Sequence, residues 1–334
     1  MDMDTILLIL GGLVLLVVGG EFLVRGAVQL AERMGVSPLL IGLTLVGFGT
    51  STPELVTSVQ ASLMGSPGIA VGNVVGSNIA NILLILGISA LLTPIVVGSA
   101  ALKRDGGLVV ATAVMLMVVG WTLELDRLVG AVFVAGLVAY IVHAWRQERT
   151  GAPDGHPSAI EKAAAFEGTH PNLHNGGAAA QGAGTGAVVL SVAFAVGGLV
   201  LVVFGGSLLV EGAVGMARTL GISETVIGLT IVAVGTSMPE LVTSIVAAAR
   251  RQADVALGNI LGSNIYNILG ILGVTGLIAP TVVPPEIANF DALVMVGVSL
   301  LLFAFAWTGL RIGRREGAAL VSGYVLYVWW IWPA

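Results

Sequence analysis

The chain has 334 residues, of which 56% are hydrophobic and only 10% charged, with a formal net charge of −5 and no cysteine. Soluble domains carry about 25% charged residues, so a soluble globular fold is excluded, and the missing cysteines exclude disulfides and thiolate metal sites. The 47 glycines are about twice the usual frequency of roughly 7% and suit close helix packing in a membrane, while no basic patch with interleaved aromatics points to nucleic acid as a partner.

Apolar runs long enough to cross a bilayer recur along the chain. Ten spans are expected, at about 5–30, 37–63, 68–92, 106–123, 126–145, 187–216, 223–248, 254–279, 289–309 and 315–332. The first lacks a basic leader and a small-residue cleavage site and reads as a retained helix. Span two carries Gly49-Thr50-Ser51-Thr52-Pro53-Glu54-Leu55-Val56-Thr57-Ser58. Span three carries Gly72-Asn73, then Gly76-Ser77-Asn78-Ile79 and Asn81-Ile82-Leu83. A stretch of about 40 residues rich in Gly, Ala, Pro, His and charge follows span five and reads as a linker. The expected organisation is therefore a five-helix repeat at 1–145, a linker at 146–186 and a second five-helix repeat at 187–334. In spans seven and eight both signatures return without a gap, as Gly235-Thr236-Ser237-Met238-Pro239-Glu240 and as Gly258-Asn259, Gly262-Ser263-Asn264-Ile265 and Asn267-Ile268-Leu269. The offset is that from Glu54 to Glu240, 186 residues.

Basic residues set an orientation. With the N-terminus outside, the cytoplasmic loops hold Arg33, Lys103, Arg104, Arg146, Arg149, Lys162, Arg250, Arg251, Arg311, Arg314 and Arg315, and the outer loops only Arg127 and Arg218. Both termini then lie outside a cytoplasmic (inner) membrane. Five spans per half give the halves opposite topology, so the expected architecture is all-α with an inverted repeat about an axis in the membrane plane.

Ionisable groups at membrane depth are expensive and by default mark an ion or substrate path. Glu54 and Glu240 fall about halfway through spans of roughly 27 residues rising 1.5 Å each. No Lys or Arg lies in the same segments to pair with either, which makes a bound cation their natural partner. Pro53 and Pro239 remove a backbone donor and free a carbonyl four residues earlier, at Gly49 and Gly235. Gly47 and Ala233 lie half a turn before and are candidates for the same loosened backbone. Thr50 and Ser51 share a helix face with Glu54, as Thr236 and Ser237 do with Glu240. Ser77 with Asn81 and Ser263 with Asn267 form further one-turn polar stripes. Asn73, Asn78, Asn259 and Asn264 point elsewhere and read as contacts between helices. The assembled set is all oxygen, which suits a hard cation such as Ca²⁺ with six to eight ligands or a group of Na⁺ ions. No membrane-embedded His or Cys cluster suits Zn²⁺ or Cu⁺.

The paired Gly-Thr-Ser-x-Pro-Glu and Gly-Ser-Asn-Ile-x-Asn motifs resemble the alpha repeats of the cation/Ca²⁺ antiporter superfamily, here at about 47–87 and 233–273, and in particular those of the prokaryotic Na⁺/Ca²⁺ exchangers. The resemblance implies an ion-binding core of spans two, three, seven and eight, with spans one and six as long tilted helices sliding across it. It implies Thr50, Ser51, Glu54, Ser77, Asn81, Thr236, Ser237, Glu240, Ser263 and Asn267 as ligands, with the carbonyls of Gly47 and Ala233. It implies exchange of Ca²⁺ for Na⁺ by a monomer without a cofactor. Some potassium-dependent relatives carry Asp where this chain has Asn267, which argues against K⁺ co-transport. Proton-coupled relatives have Asn-Ala where this chain has Thr-Ser, which favours Na⁺ as the counter-ion.

The alternatives are a Ca²⁺/H⁺ antiporter and, in a different class, a passive cation channel. An intramembrane enzyme is not expected, because the spans hold no paired-Asp protease pattern, no His-Glu-x-x-His and no Ser–His dyad. His170 and His174 lie in a Gly-rich stretch and read as solvated, as do the isolated His143 and His156. Glu21, Arg25 and Glu211 sit near span ends, with Glu21 and Arg25 spaced to pair. Trp329, Trp330 and Trp332 with Tyr324 and Tyr327 read as an interface belt.

Overall fold

The computed structural model describes residues 3–36, 41–97, 102–122, 124–150, 156–170, 185–307 and 310–332. The described residues are helical apart from a two-residue ladder, β1 (Ile95–Val96) against β2 (Arg311–Ile312), and an isolated bridge. Among the described residues, seven helices are long and apolar enough to cross a membrane. They are α1 (Met3–Arg33), α4 (Pro67–Leu92), α5 (Arg104–Thr122), α6 (Arg127–Arg149), α8 (Val188–Leu220), α11 (Val255–Ile278) and α12 (Ile287–Phe305). Helices α9 (Glu224–Thr236) and α10 (Met238–Ala249), bent by 50° at their junction, give an eighth when the pair is counted as one span. The other two expected spans are helical but fall short. One is interrupted at Ser51, giving α2 (42–50) and α3 (Thr52–Leu63), and its expected start at 37–40 lies outside the described residues. The other, α13 (Arg314–Ile331), opens on Arg314, Arg315 and Glu316. One helix was not expected. It is α7 (Ser158–Thr169), in the linker.

The backbone repeats at the sequence offset. Wide π-type turns occupy Gly42–Val46 and Gly228–Val232, and again Asn81–Leu86 and Tyr266–Leu272. The β1–β2 ladder pairs Ile95 with Ile312, and an isolated bridge joins Leu125 to Thr281. Ile95 and Thr281 are offset mates, so one small ladder repeats the other. Loop contacts gather into two sets. In one, Val97 N donates to Leu310 O and Arg250 reaches Gly168 O. In the other, Ser62 reaches Ala279 O and Leu125 pairs with Thr281.

Helices α1 and α8 are 31 and 36 residues long over their full extents, Met3–Arg33 and Thr185–Leu220. They run antiparallel in close contact, and glycine is the reason. Gly12, Gly19 and Gly26 recur every seventh residue and mate by the offset with Gly198, Gly205 and Gly212. A Cβ on Gly12 would lie 2.8 Å from Gly205 O, and one on Gly19 would lie 2.9 Å from Gly198 O. Backbone therefore meets backbone, the small-residue packing that membranes favour. The remaining core lies around α4 and α11, which are buried nearly throughout.

Gly19→Val should force α1 and α8 apart and destabilise the protein by roughly 1–3 kcal/mol, the scale of overpacking. Gly11→Val, where a Cβ meets nothing within 4 Å, should be near neutral. Thermal unfolding in detergent compares the two, and equal melting temperatures would contradict the glycine contact.

Candidate cation site

The Gly-Thr-Ser-x-Pro-Glu signature ends one helix and begins another. Ser51 (φ −91°, ψ 11°) and Ser237 (φ −82°, ψ 11°) leave the helical region. Pro53 and Pro239 then fall in the first turn of α3 and α10, where a missing N–H is not needed. The expected mid-helix kink is thus a complete break. It places Glu54 and Glu240 in the first turns of their helices, where the helix dipole favours a carboxylate. Wide π-type turns, frequent at functional sites, precede both breaks.

The two halves are stitched to each other. Ser237 Oγ donates to Glu54 Oε1 at 2.9 Å, and Ser51 Oγ to Glu240 Oε1 at 3.4 Å. Ser237 also lies 2.9 Å from Ser77 Oγ, which donates to the Ala233 carbonyl at 3.3 Å. Thr50 donates to Gly47 O at 3.3 Å and Thr236 to Ala233 O at 3.2 Å. Asn81 Nδ2 donates to Asn264 Oδ1 and Asn267 Nδ2 to Asn78 Oδ1, at 2.9 and 3.0 Å. Asn73 and Asn259 donate to the backbone carbonyls of Glu54 and Glu240, at 3.1 and 3.2 Å, bracing each break. The four asparagines expected to join helices do so.

All twelve candidate residues are buried, Gly47 and Ala233 as well as the ten polar ones. Four oxygens are left over. Glu54 Oε2, Glu240 Oε2, Asn81 Oδ1 and Asn267 Oδ1 are buried without a hydrogen-bond donor among the described residues. Each is an acceptor, and each half contributes one carboxylate and one amide oxygen. Buried acceptors without donors are costly, and a hard cation is the chemical group that satisfies several at once.

One neighbour was missed. Lys162, from the middle of α7, is fully buried with its Nζ 3.2 Å from Glu240 Oε1, 3.2 Å from Ser51 Oγ and 2.5 Å from Ser263 Oγ. This corrects two expectations. Glu240 does have a basic partner, and part of the linker is a buried helix. Its Ser158-Ala159-Ile160-Glu161-Lys162-Ala163-Ala164-Ala165 composition is the signal that was available, since alanine is the strongest helix former.

The remaining candidates resolve simply. Glu21 and Arg25 pair at 2.8 Å. His170 stacks on Phe166 at 4.1 Å, and His156 lies 2.9 Å from Glu148; His174 lies outside the described residues. Trp329 and Trp330 are exposed, as a belt requires, but Tyr324 and Tyr327 are not. Tyr327 turns inward to donate to Asp291 at 2.8 Å, because a buried carboxylate needs a donor.

Known proteins resemble this chain over nearly its whole length. The family described as sodium/calcium exchanger protein matches residues 5–146 and 190–332. The chain is 38% identical to the putative antiporter CaxA of Alkalimonas amylolytica over 324 residues, 96% of each chain. It is 39% identical to the sodium/calcium exchanger MaX1 of Methanosarcina acetivorans over 350 residues, covering 96% of this chain and 97% of that one. Its fold is similar to that of the solved sodium-calcium exchanger NCX_Mj, soaked with 100 mM Na⁺ and 10 mM Sr²⁺, at a TM-score of 0.59 and 34% identity over 98% of each chain. A chain matched by the family across both of its helical halves, and over nearly its whole length by these relatives, belongs to the sodium/calcium exchanger family of membrane ion exchangers.

Proposed function

We propose that this chain exchanges Ca²⁺ for Na⁺ across the cytoplasmic membrane by alternating access, as a monomer of ten spans in two inverted five-helix halves (1–145 and 187–334) joined by 146–186. The observation that carries the reading is the set of four unsatisfied oxygens, two of them carboxylate. Two carboxylates match the charge of one Ca²⁺. The same oxygens, with the hydroxyls of Thr50, Ser51, Ser77, Thr236, Ser237 and Ser263 and the carbonyls of Gly47 and Ala233, can instead hold several Na⁺ ions. The two loads compete for one charge-limited site, which is the physical basis of exchange. Helices α1 and α8, interlocked through glycine, move as a unit across the core and open the site to one face at a time.

Glu54→Gln and Glu240→Gln should each reduce Ca²⁺ transport to background while the protein still folds. A neutral isostere keeps the shape and removes half the compensating charge. Radiolabelled Ca²⁺ uptake into proteoliposomes measures it, and wild-type exchange in either variant would remove that residue from the site.

Uptake should follow an imposed Na⁺ gradient and be electrogenic if more than two Na⁺ move per Ca²⁺. Uptake driven by a pH gradient and indifferent to Na⁺ would establish the Ca²⁺/H⁺ antiporter instead, and gradient-independent leak would establish a channel.

Exchange should not require K⁺, because Asn81 and Asn267 are both neutral and a further cation at low dielectric needs further charge. Asn267→Asp should change ion selectivity. Flux with and without K⁺ in wild type and variant is the measurement, and strict K⁺ dependence of the wild type would refute the charge argument.

A further inference from the structure

The linker helix α7 does not rest on the surface. It is wedged into the bundle beside the site. Ala163 Cβ lies 3.3 Å from where a Cβ on Gly42 would stand, and a Cβ on Gly258 would overlap Glu161. A Cβ on Gly262 would lie 3.0 Å from Ser158 O and 3.1 Å from Lys162 Cβ. The offset mates of Gly258 and Gly262 are Gly72 and Gly76. They pack directly on Gly228 and Leu229 of α9, with no helix between. On one face of the protein, then, the bundle closes on itself, and on the other α7 fills the gap.

The helix is held at both ends. Asp105 accepts from Ser158 N at 2.8 Å and Ser158 Oγ at 2.7 Å, and Tyr140 accepts from Ala159 N at 3.2 Å. Arg250 donates to Gly168 O at 2.8 Å. Between these clamps Lys162 spends all three of its donors on Ser51, Glu240 and Ser263. An ammonium is a compact point charge on a flexible stem. It stands here where the second half of the site would meet a transported cation. Both cannot use Glu240 and Ser263 at close range, because like charges at low dielectric repel strongly.

We propose that α7 is a tethered plug in the vestibule of one face and that Lys162 is a built-in cation that competes with the transported ions for Glu240 and Ser263. An ion arriving from that face displaces Lys162 and shifts α7 before it binds. The inference rests on the exchange function proposed above. It adds a competitor carried by the protein itself.

The test is Na⁺-driven flux of radiolabelled Ca²⁺ in proteoliposomes sorted by orientation. Apparent affinity falls with the fraction of protein that is competent to bind. If the plug is seated about nine-tenths of the time, Lys162→Gln lowers the half-saturating Ca²⁺ on the α7 face roughly tenfold and leaves the opposite face within about twofold. Because the chain has no cysteine, the pair Gly42→Cys and Ala163→Cys can pin α7 in place, disulfide Cβ atoms lying about 3.5–4.5 Å apart. Oxidation should stop flux, dithiothreitol should restore it, and neither single variant should respond. Unchanged affinity in Lys162→Gln, or full flux in the oxidised pair, overturns the plug. So does loss of exchange in a folded Lys162→Gln, which would make the lysine an obligatory part of the site. Failure of the exchange function shows differently, as no Na⁺-driven flux in either wild type or Lys162→Gln. Equilibrium Ca²⁺ binding to the detergent-solubilised protein then decides the plug, tighter binding in the variant supporting it and equal binding overturning it.

Discussion

Two carboxylates buried in the middle of an apolar helix bundle are the constraint on which the rest of this structure depends. Glu54 and Glu240 are each about 1% exposed, and an ionised carboxylate without water is tolerable only when it is paired and hydrogen-bonded. The surrounding structure supplies what it can. Helix breaks put both groups at helix N-termini, and serines from the opposite half donate to one oxygen of each. The second oxygens are left without donors. Countercharge, unlike hydrogen bonds, cannot come from serines and amides. It has to arrive as an ion or as a side chain from elsewhere, and Lys162 shows the second route being used.

The duplicated halves obey one plan in detail. Wide turns, short ladders, glycines on the long helices and the site residues all recur at the same offset. Asp105 and Asp291 are another such pair, both buried, yet they serve different ends. Asp291 accepts from Tyr327, whereas Asp105 caps α7. The linker belongs to neither half and has no mate. Seating it against one member of a symmetric pair is what makes the two faces of the molecule chemically unequal.

The candidates that the structure brings together around Glu54 and Glu240 stood out in the sequence because polar groups inside apolar runs are conspicuous, and because they were so twice. The supporting role of the four extra asparagines was legible for the same reason. The helix breaks were only half visible. Pro53 and Pro239 announced a disturbance, but whether proline kinks a helix or starts a new one depends on the backbone angles of the serine before it, which composition does not fix. Lys162 was hidden by its context. A lysine among Gly, Ala, Pro and His reads as a solvated charge, and nothing local says that an alanine-rich turn will be drawn into a groove lined by Gly42, Gly258 and Gly262. Tyr324 and Tyr327 were misplaced by proximity to the tryptophans, and the inward turn of Tyr327 follows its bond to Asp291, more than thirty positions away in the chain. Span two is helical on both sides of Ser51 over its described residues, and the last span is helical but opens on three charges in its first turn.

The position of α7 on a single face has a thermodynamic corollary. A segment that never leaves the protein is not consumed in a transport cycle, so it cannot move the ion gradients at which net flux reverses. That balance is fixed by stoichiometry and membrane voltage alone. What a one-sided helix can alter is the path to balance, by slowing entry from its own face while leaving the other untouched. At ion concentrations below saturation such a molecule runs faster in one direction than in the other, a rectifier whose bias is written in structure and whose equilibrium is not.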